Sequence, residues 1–282
     1  MNMQSNERPT DLMGKSADDA LTLASLGIVA YALAIVSHEG LGHGLTALAA
    51  GARPLILTTC NFDWNGSVSG SSVRWIAAAG SIANALVGLL CILLSRLLRA
   101  IGPHLRLFLV LAAAFNLLLA AGYPGYSGVA AFGDWTAVIR GFSPEWLWRV
   151  FLVVGSVIAY SCSLRLLAVA LRPFCGSSAP ESLARLRRMT MIPYLAAVAA
   201  ACLAGAFNPG RWTVLFTCAL PSSAAAGFGL TRLDHFPGVR VSGSSVPAGA
   251  IPRNFGWILA AVVILVFFVG VLGPGIRFQP GR

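Results

Sequence analysis

Long apolar runs limit what this chain can fold into more than any other feature of its sequence. Seven such runs are long enough, or nearly so, to cross the hydrocarbon core of a bilayer, which takes about 20 helical residues. The chain is 57% hydrophobic and only 11% charged, the composition of a polytopic membrane protein. We predict an all-α polytopic membrane protein with six to seven transmembrane helices. The predicted spans cover residues 20–50, 73–98, 105–122, 146–171, 190–207, 212–230 and 255–273.

Two irregular features interrupt this helical pattern. Residues 55–70 are rich in β-forming side chains, and Asn65 with Gly66 is a type I′ turn signal, so a small β-hairpin is predicted after the first helix. It is either an ordinary surface hairpin or a strand edge that holds an extended peptide beside a site. Pro221 breaks the sixth apolar run as a kink or a re-entrant turn, which leaves the count at six or seven.

The net charge is +10, and most of the Arg residues lie in the connections between helices. Their distribution over the two sides of the membrane predicts the orientation of the protein. With seven spans, the N-terminal side collects twelve Lys and Arg residues and the opposite side collects seven. The positive-inside rule then predicts that the N-terminus is cytoplasmic. We expect a multi-pass protein of a bacterial cell membrane, which contacts the lipid bilayer and binds no nucleic acid. The twelve are Arg8, Lys15, Arg96, Arg99, Arg106, Arg172, Arg185, Arg187, Arg188, Arg232, Arg240 and Arg253, and the seven are Arg53, Arg74, Arg140, Arg149, Arg211, Arg277 and Arg282.

The cysteines stand far apart in the chain, with no Cys-x-x-Cys pair. Most of them fall in apolar runs, so they are predicted to be small buried residues that imply neither a disulfide framework nor a zinc ribbon. The six are Cys60, Cys91, Cys162, Cys175, Cys202 and Cys218.

An ionisable cluster, His38–His43, lies inside the first apolar run. Two imidazoles and a carboxylate are costly at membrane depth unless they are paired, hydrated or bound to a metal, so the cluster predicts a functional site. The zinc-protease signature His-Glu-x-x-His places its two His four residues apart, whereas His38 and His43 are five apart. Five positions of a regular helix point two side chains about 140° away from each other.

A π-type turn, which inserts one residue into the helix, would bring His38 and His43 back to one face. Gly40 and Gly42 make such a distortion cheap. In a regular helix, by contrast, Glu39 and His43 already share a face. This pair could then bind a metal, and His38 would contact a ligand without binding the metal itself. Both arrangements predict a metal site in the first helix.

Asp134 is the candidate third ligand. Residues 122–135 form an aromatic, Gly-rich linker in which Asp134 is the sole acid, and non-helical backbone of this kind is tolerated at membrane depth where it lines a cavity. The alternative role for Asp134 is to cap a short helix over residues 135–140. The rival acids for the third ligand are Asp63, Glu145 and Asp234.

These features resemble the site-2 protease family of intramembrane zinc metallopeptidases. The resemblance covers residues 30–140 and consists of the His38–His43 motif, the hairpin, the segment Gly80-Ser81-Ile82-Ala83-Asn84, and Asn116 leading to Asp134. The motif itself is similar to the His-Glu-x-x-Gly-His form of the dipeptidyl peptidase III family. Ser81 stands where the site-2 family has Pro, and the family's Asn-x-x-Pro…Leu-Asp-Gly run is absent.

The resemblance implies a catalytic site within residues 20–140, preceded by a polar arm (residues 1–19) and followed by further transmembrane helices and a C-terminal tail (residues 141–282). His38, His43 and Asp134 would hold Zn²⁺, and Glu39 would be the general base on a zinc-bound water. The substrate would be a membrane-anchored protein or peptide. The candidates for substrate contact or oxyanion stabilisation are Asn84, Asn116, Tyr123 and Tyr126.

Two other classes of function fit the same residues. One is a metal-binding or ion- or proton-conducting membrane protein without peptidase activity, in which His38, Glu39 and His43 relay charge. The other is an inactive relative that binds membrane partners through the same cavity. Site-2 proteases usually place the site toward the cytoplasm, whereas a cytoplasmic N-terminus here puts the motif in the outer half of the membrane.

Overall fold

Seven helices of the described chain are long and apolar enough to cross a membrane, which confirms an all-α, multi-pass membrane protein. The computed structural model describes residues 18–98, 102–175, 179–235 and 249–278, so most of the polar arm lies outside it. The seven are α1 (Ala20–Ala49), α2 (Gly70–Leu97), α3 (Pro103–Ala130), α5 (Glu145–Phe174), α6 (Ala179–Phe207), α7 (Arg211–Leu233) and α8 (Phe255–Leu272). A short helix, α4 (Asp134–Ile139), follows α3.

The central helix of the bundle is α3, which packs against α1, α2 and α5. Its face toward α1 carries fully buried side chains such as Leu111 and Leu118, which belong to one continuous apolar core with Leu26 of α1 and Leu167 of α5. Many large apolar side chains of the outer helices remain exposed, as expected for helices that face lipid.

Asp18 and Asp19 tie the N-terminal face of the bundle together. Asp19 caps α1, and the backbone N–H of Thr22 lowers the pKa of its carboxyl below the usual value. The buried Asp18 carboxylate accepts two hydrogen bonds from Arg185 of α6, at 2.8 and 2.9 Å, a geometry that makes a strong charge-assisted pair. The backbone carbonyl of Asp18 accepts a further bond from Arg188.

A three-stranded antiparallel sheet lies beyond the C-terminal end of α1. Its strands are β1 (Arg53–Leu57), β2 (Phe62–Asn65) and β3 (Ile276–Arg277), in the order β2-β1-β3. The hairpin is confirmed, but the predicted turn position was wrong, because the chain turns at residues 58–61 and Asn65 ends β2. The turn closes where the backbone N–H of Thr58 donates to the carbonyl of Asn61 at 2.8 Å.

A disulfide joins Cys60, in the hairpin turn, to Cys218 of α7. The prediction that the cysteines imply no disulfide was therefore wrong for this pair. The two residues are 158 positions apart in sequence, with Cα atoms 5.9 Å apart, so their pairing follows from the tertiary fold and not from spacing.

The Gly-rich segment after residue 122 is mostly helical, so the predicted non-helical linker is wrong up to Ala130. Its glycines allow close packing of α3 on α5. A Cβ on Gly125 would lie 2.5 Å from Ser156 Oγ, and one on Gly128 would lie 2.9 Å from the carbonyl oxygen of Arg149. A glycine-rich segment can form either a turn or a close contact between helices. Which of the two forms here depends on the neighbouring helix α5.

Helix α7 crosses the bundle with an irregular backbone. π-Helical turns cover Leu215–Ala219 and Pro221–Ala225, and a 3₁₀ segment covers Phe228–His235. The backbone is irregular at Pro221, but the helix continues through this residue as one element long and apolar enough to span, so the predicted interruption is not a re-entrant turn and the count is seven.

Candidate metal centre

A π-helix over Ser37–Gly44 carries the ionisable cluster of α1. Of the two arrangements that the sequence left open, the one with the inserted residue occurs, and it places the rings of His38 and His43 together, with centroids 4.8 Å apart. The alternative of a regular helix, in which Glu39 and His43 form the facing pair, does not occur. Both His side chains and Glu39 are buried.

Glycines at the crossing of α1 and α2 make room for the two imidazoles. A Cβ on Gly42 would lie 2.5 Å from Gly80 Cα, so the two backbones are in direct contact. A Cβ on Gly80 would lie 2.6 Å from the Nε2 atoms of both His38 and His43. Gly42 therefore permits helix contact, and Gly80 opens the space that the two rings occupy.

Asp134 completes a cluster of three possible ligands. Its Oδ2 atom lies 3.4 Å from His38 Nε2 and 3.1 Å from His43 Nε2, and the three ligand atoms all lie within 4.8 Å of one another. Asp134 is the first residue of α4, and the capping position is held by Gly133, which has no side chain with which to cap. The helix-cap role for Asp134 is therefore excluded by the geometry.

The Asp134 carboxylate is charged at neutral pH. Burial alone would raise its pKa, but the hydrogen bonds with His38 and His43 outweigh burial and hold the pKa well below its usual range. A deprotonated carboxylate is the form that binds a metal ion.

The position of Asp134 is set by contacts on both sides of it. Trp135 Nε1 donates a 3.0 Å hydrogen bond to Ser81 Oγ of α2, and the backbone N–H of Asp134 lies 3.4 Å from the Tyr123 hydroxyl. Gly133 has φ +89°, and a Cβ there would lie 2.8 Å from the same hydroxyl. The chain can thus turn from α3 into α4 close to Tyr123 only with glycine at residue 133.

A hydrogen bond to the backbone of α2 orients the His43 ring. Its Nδ1 atom lies 2.7 Å from the carbonyl oxygen of Ile76, so we assign the ring proton to Nδ1 and leave Nε2 free to bind a metal. The buried Nδ1 atom of His38 has no hydrogen-bond partner within the described ranges. Its Nε2 atom is the one that faces Asp134.

The donor set of this cluster suits zinc, and two of its three separations match a tetrahedral site. Ligand atoms bound tetrahedrally at about 2.0–2.2 Å lie about 3.3–3.6 Å apart. The separations of Asp134 from His38 and His43, 3.4 and 3.1 Å, are close to this range, whereas the two His ligand atoms are up to 4.8 Å apart. Two imidazoles and one carboxylate are also the donor set of catalytic zinc sites that keep a fourth position open.

A cavity of about 580 Å³ adjoins the cluster. His38, Glu39 and Asp134 line it together with Tyr123 and Tyr126. Glu39 is not one of the three residues whose ligand atoms converge, so its carboxylate is placed beside the cluster without belonging to it.

The other predicted site residues divide into two groups. Tyr123 and Tyr126 reach the cavity, whereas Asn84 and Asn116 do not. The Asn84 amide donates to the carbonyl of Ala34 at 3.2 Å, which is the helix-contact role that a transmembrane Asn commonly has. The Asn116 amide donates to the carbonyl oxygen of the residue four positions earlier, at 2.8 Å.

Two rivals of Asp134, Asp63 and Glu145, do not belong to the ligand cluster. Asp63 is exposed at the edge of the cavity, and Glu145 is exposed at the start of α5. The side chain of Asp234 lies outside the described residues. The roles of Trp135 and of the Ile76 carbonyl had no signal in the sequence, because each depends on a contact between separate helices.

Replacement of Gly80 by Ala should weaken zinc binding by about 10- to 100-fold, the usual effect of changes to residues that support metal ligands. The added methyl group would lie 2.6 Å from both Nε2 atoms and displace the rings. Zinc affinity of the purified variant can be measured by competition with a chromogenic chelator. Gly70→Ala is the matched control, since a Cβ at residue 70 of the same helix meets nothing within 4 Å. Equal affinities for the two variants would contradict the assigned role of Gly80.

Comparisons with models of known protein families, with curated proteins and with solved structures find no match for this chain.

Proposed function

We propose that this protein is an intramembrane zinc metalloprotease, an endopeptidase related to the site-2 proteases that acts on membrane-anchored proteins or peptides. The observation that carries the proposal is the convergence of two imidazoles and a carboxylate, His38, His43 and Asp134, at a cavity also lined by Glu39. The arrangement supports the proposal because metal ligands, a free carboxylate and space for a substrate occur together.

Each residue of the centre has a defined task in this mechanism. His38, His43 and Asp134 would hold the metal through Nε2, Nε2 and a carboxylate oxygen. Zinc held there would supply a water with a lowered pKa and would polarise a carbonyl group. Glu39 takes a proton from the attacking water and passes it to the leaving amine, the task of a general base that then acts as an acid.

Tyr123 is the side chain best placed to stabilise negative charge on the substrate carbonyl. Its ring lies 5.5 Å from the His38 ring, its side chain lines the cavity, and its hydroxyl lies against Asp134, whose backbone N–H it accepts at 3.4 Å. The Tyr126 hydroxyl already donates to the carbonyl of Thr217 at 3.1 Å. We therefore assign the oxyanion role to Tyr123.

The sheet offers a way to present an extended substrate. Strand β1 pairs on both sides, so the free edges belong to β2 and β3, and β2 is the longer of the two and contributes Asp63 to the cavity lining. Addition of a substrate strand to β2 would expose main-chain peptide bonds that a helix shields by its own hydrogen bonds. A transmembrane substrate would have to unwind locally before cleavage.

We also propose that the N-terminus faces the cytoplasm. The support is the excess of Lys and Arg on the N-terminal side of the seven helices, twelve against seven.

Removal of zinc tests the proposed function. The purified protein in detergent should cleave fluorescently labelled casein, an unstructured polypeptide, when zinc is present in stoichiometric amounts. Dialysis against a chelator should abolish cleavage, and one equivalent of zinc should restore it. Cleavage that survives complete removal of the metal would contradict a zinc mechanism.

A further inference from the structure

The cavity at the metal centre is built from connections on one side of the membrane. The chain crosses seven times, so the hairpin, the α3–α4 connection and the α6–α7 connection all lie on the side opposite the N-terminus. Exposed residues from these three connections line the cavity, among them Asn61, Phe132 and Pro209. The pairing of β3 with β1 requires an even number of crossings between them, which agrees with the six helices in between.

The disulfide belongs to the wall of the same cavity. Cys60 and Cys218 both line it, one from the hairpin turn and the other from α7. Structural disulfides form and persist in oxidising compartments and are rare on the cytoplasmic side, where thiols are kept reduced. The side on which the cavity is built is therefore the oxidising one.

The opposite face of the bundle carries the charges expected of the cytoplasmic side. Arg185 and Arg188 lie there, where Asp18 binds them, and Arg253 pairs with Asp19 at 3.0 Å. The twelve-to-seven distribution of Lys and Arg gives the same orientation without reference to the cysteines. Two unrelated observations, one redox and one electrostatic, thus agree.

We infer that the metal centre faces the extracytoplasmic side and takes its substrates there. The substrate class is a polypeptide segment that lies in the outer half of the bilayer or just outside it, such as the exported end of a membrane-anchored protein. The word substrate rests on the proposed protease function, whereas the direction in which the cavity faces rests on the disulfide and on the distribution of Lys and Arg. This facing is opposite to the cytoplasmic site that the resemblance implies.

Thiol labelling tests the facing of the centre. The starting variant is the full chain in which the free cysteines are replaced by Ser and the disulfide is kept; the replaced residues are Cys91, Cys162, Cys175 and Cys202. One new cysteine is then added to it at a time. Asn65→Cys lies at the exposed end of β2, and Gly102→Cys lies at the exposed residue before α3, on the other side. In spheroplasts of a bacterial host, a membrane-impermeant maleimide should label the first variant at least about tenfold faster than the second. Permeabilisation should make the two rates similar.

The reverse labelling pattern would overturn the inference. A second measurement needs no substitution: thiols of the unaltered protein are blocked with N-ethylmaleimide before lysis, and the digest is analysed by mass spectrometry without reductant. A cross-linked peptide pair that contains Cys60 and Cys218 is expected, and both residues recovered in alkylated form would contradict an oxidising location. Neither measurement depends on zinc or turnover, so failure of the proposed protease activity and failure of this inference are distinguishable.

Discussion

Replacement of Glu39 by Gln should lower the rate of peptide hydrolysis by about 10²- to 10⁴-fold, the range that a general base contributes. Gln has nearly the shape of Glu but cannot take a proton from water. Glu39 lies beside the three ligand residues and is not one of them, so the variant should still bind one zinc ion per chain. Zinc content by mass spectrometry and cleavage of labelled casein measure the two quantities on the same sample.

Glu145→Gln is the matched control, because Glu145 is an exposed acid at the start of α5. It should retain both zinc and full activity. In cells, new N-termini in the membrane fraction should appear with the unaltered protein and with Glu145→Gln but not with Glu39→Gln. The proteins that carry these new N-termini are then the natural substrates.

The same variant separates the proposed protease from the other two classes. Loss of zinc in Glu39→Gln would mean that Glu39 is a ligand and would contradict its role as base. If the unaltered protein conducts protons or ions in liposomes, cleaves nothing, and loses conduction in Glu39→Gln, the relay function is correct and the protease mechanism is wrong.

Replacement of Asp134 by Ala should lower zinc affinity by more than about 100-fold and abolish cleavage. Changes to residues that only support metal ligands already cost about 10- to 100-fold, and loss of a ligand removes a charged donor as well. The variant leaves two imidazoles, with Nε2 atoms that both pointed at the lost carboxylate. Isothermal titration with zinc measures the affinity directly.

Thermal unfolding shows whether Asp134→Ala still folds. Zinc at 100 times its dissociation constant should stabilise the unaltered protein by about 2.7 kcal/mol, and the variant should lose this stabilisation. Glu145→Ala is the control, since Glu145 is exposed at the start of α5 and does not line the cavity. An unchanged zinc affinity in Asp134→Ala, or equal losses in the two variants, would contradict the assignment of Asp134.

Local sequence narrows the first helix to two arrangements, one distorted and one regular. The five-residue separation of His38 and His43 cannot present both rings on one face of a regular helix, so the motif itself requires an inserted residue if both rings are to meet. The Ser37–Gly44 π-helix supplies that insertion. The sequence also favours Asp134 as the third ligand, because few acids of the chain lie outside the arm and the charged connections.

Contacts between distant segments cannot be predicted in the same way. Gly80 makes room for two imidazole rings of another helix, and Cys60 forms a disulfide with a residue 158 positions away. The sequence around Gly125 indicates a linker. Its packing role is not visible there, because its partner, Ser156, is brought close only by the placement of α5. A polar residue in an apolar run can serve either catalysis or helix contact, and Asn84 proves to contact Ala34.

The most direct test of the central claim is X-ray absorption spectroscopy at the zinc edge on the purified, metal-replete protein. We predict one zinc per chain with two imidazole nitrogens and one carboxylate oxygen at about 2.0–2.2 Å. The imidazole signal should fall by one ring in His38→Ala and in His43→Ala, since both Nε2 atoms converge on Asp134. The absence of stoichiometric zinc, or a zinc spectrum unchanged in both variants, would contradict the account.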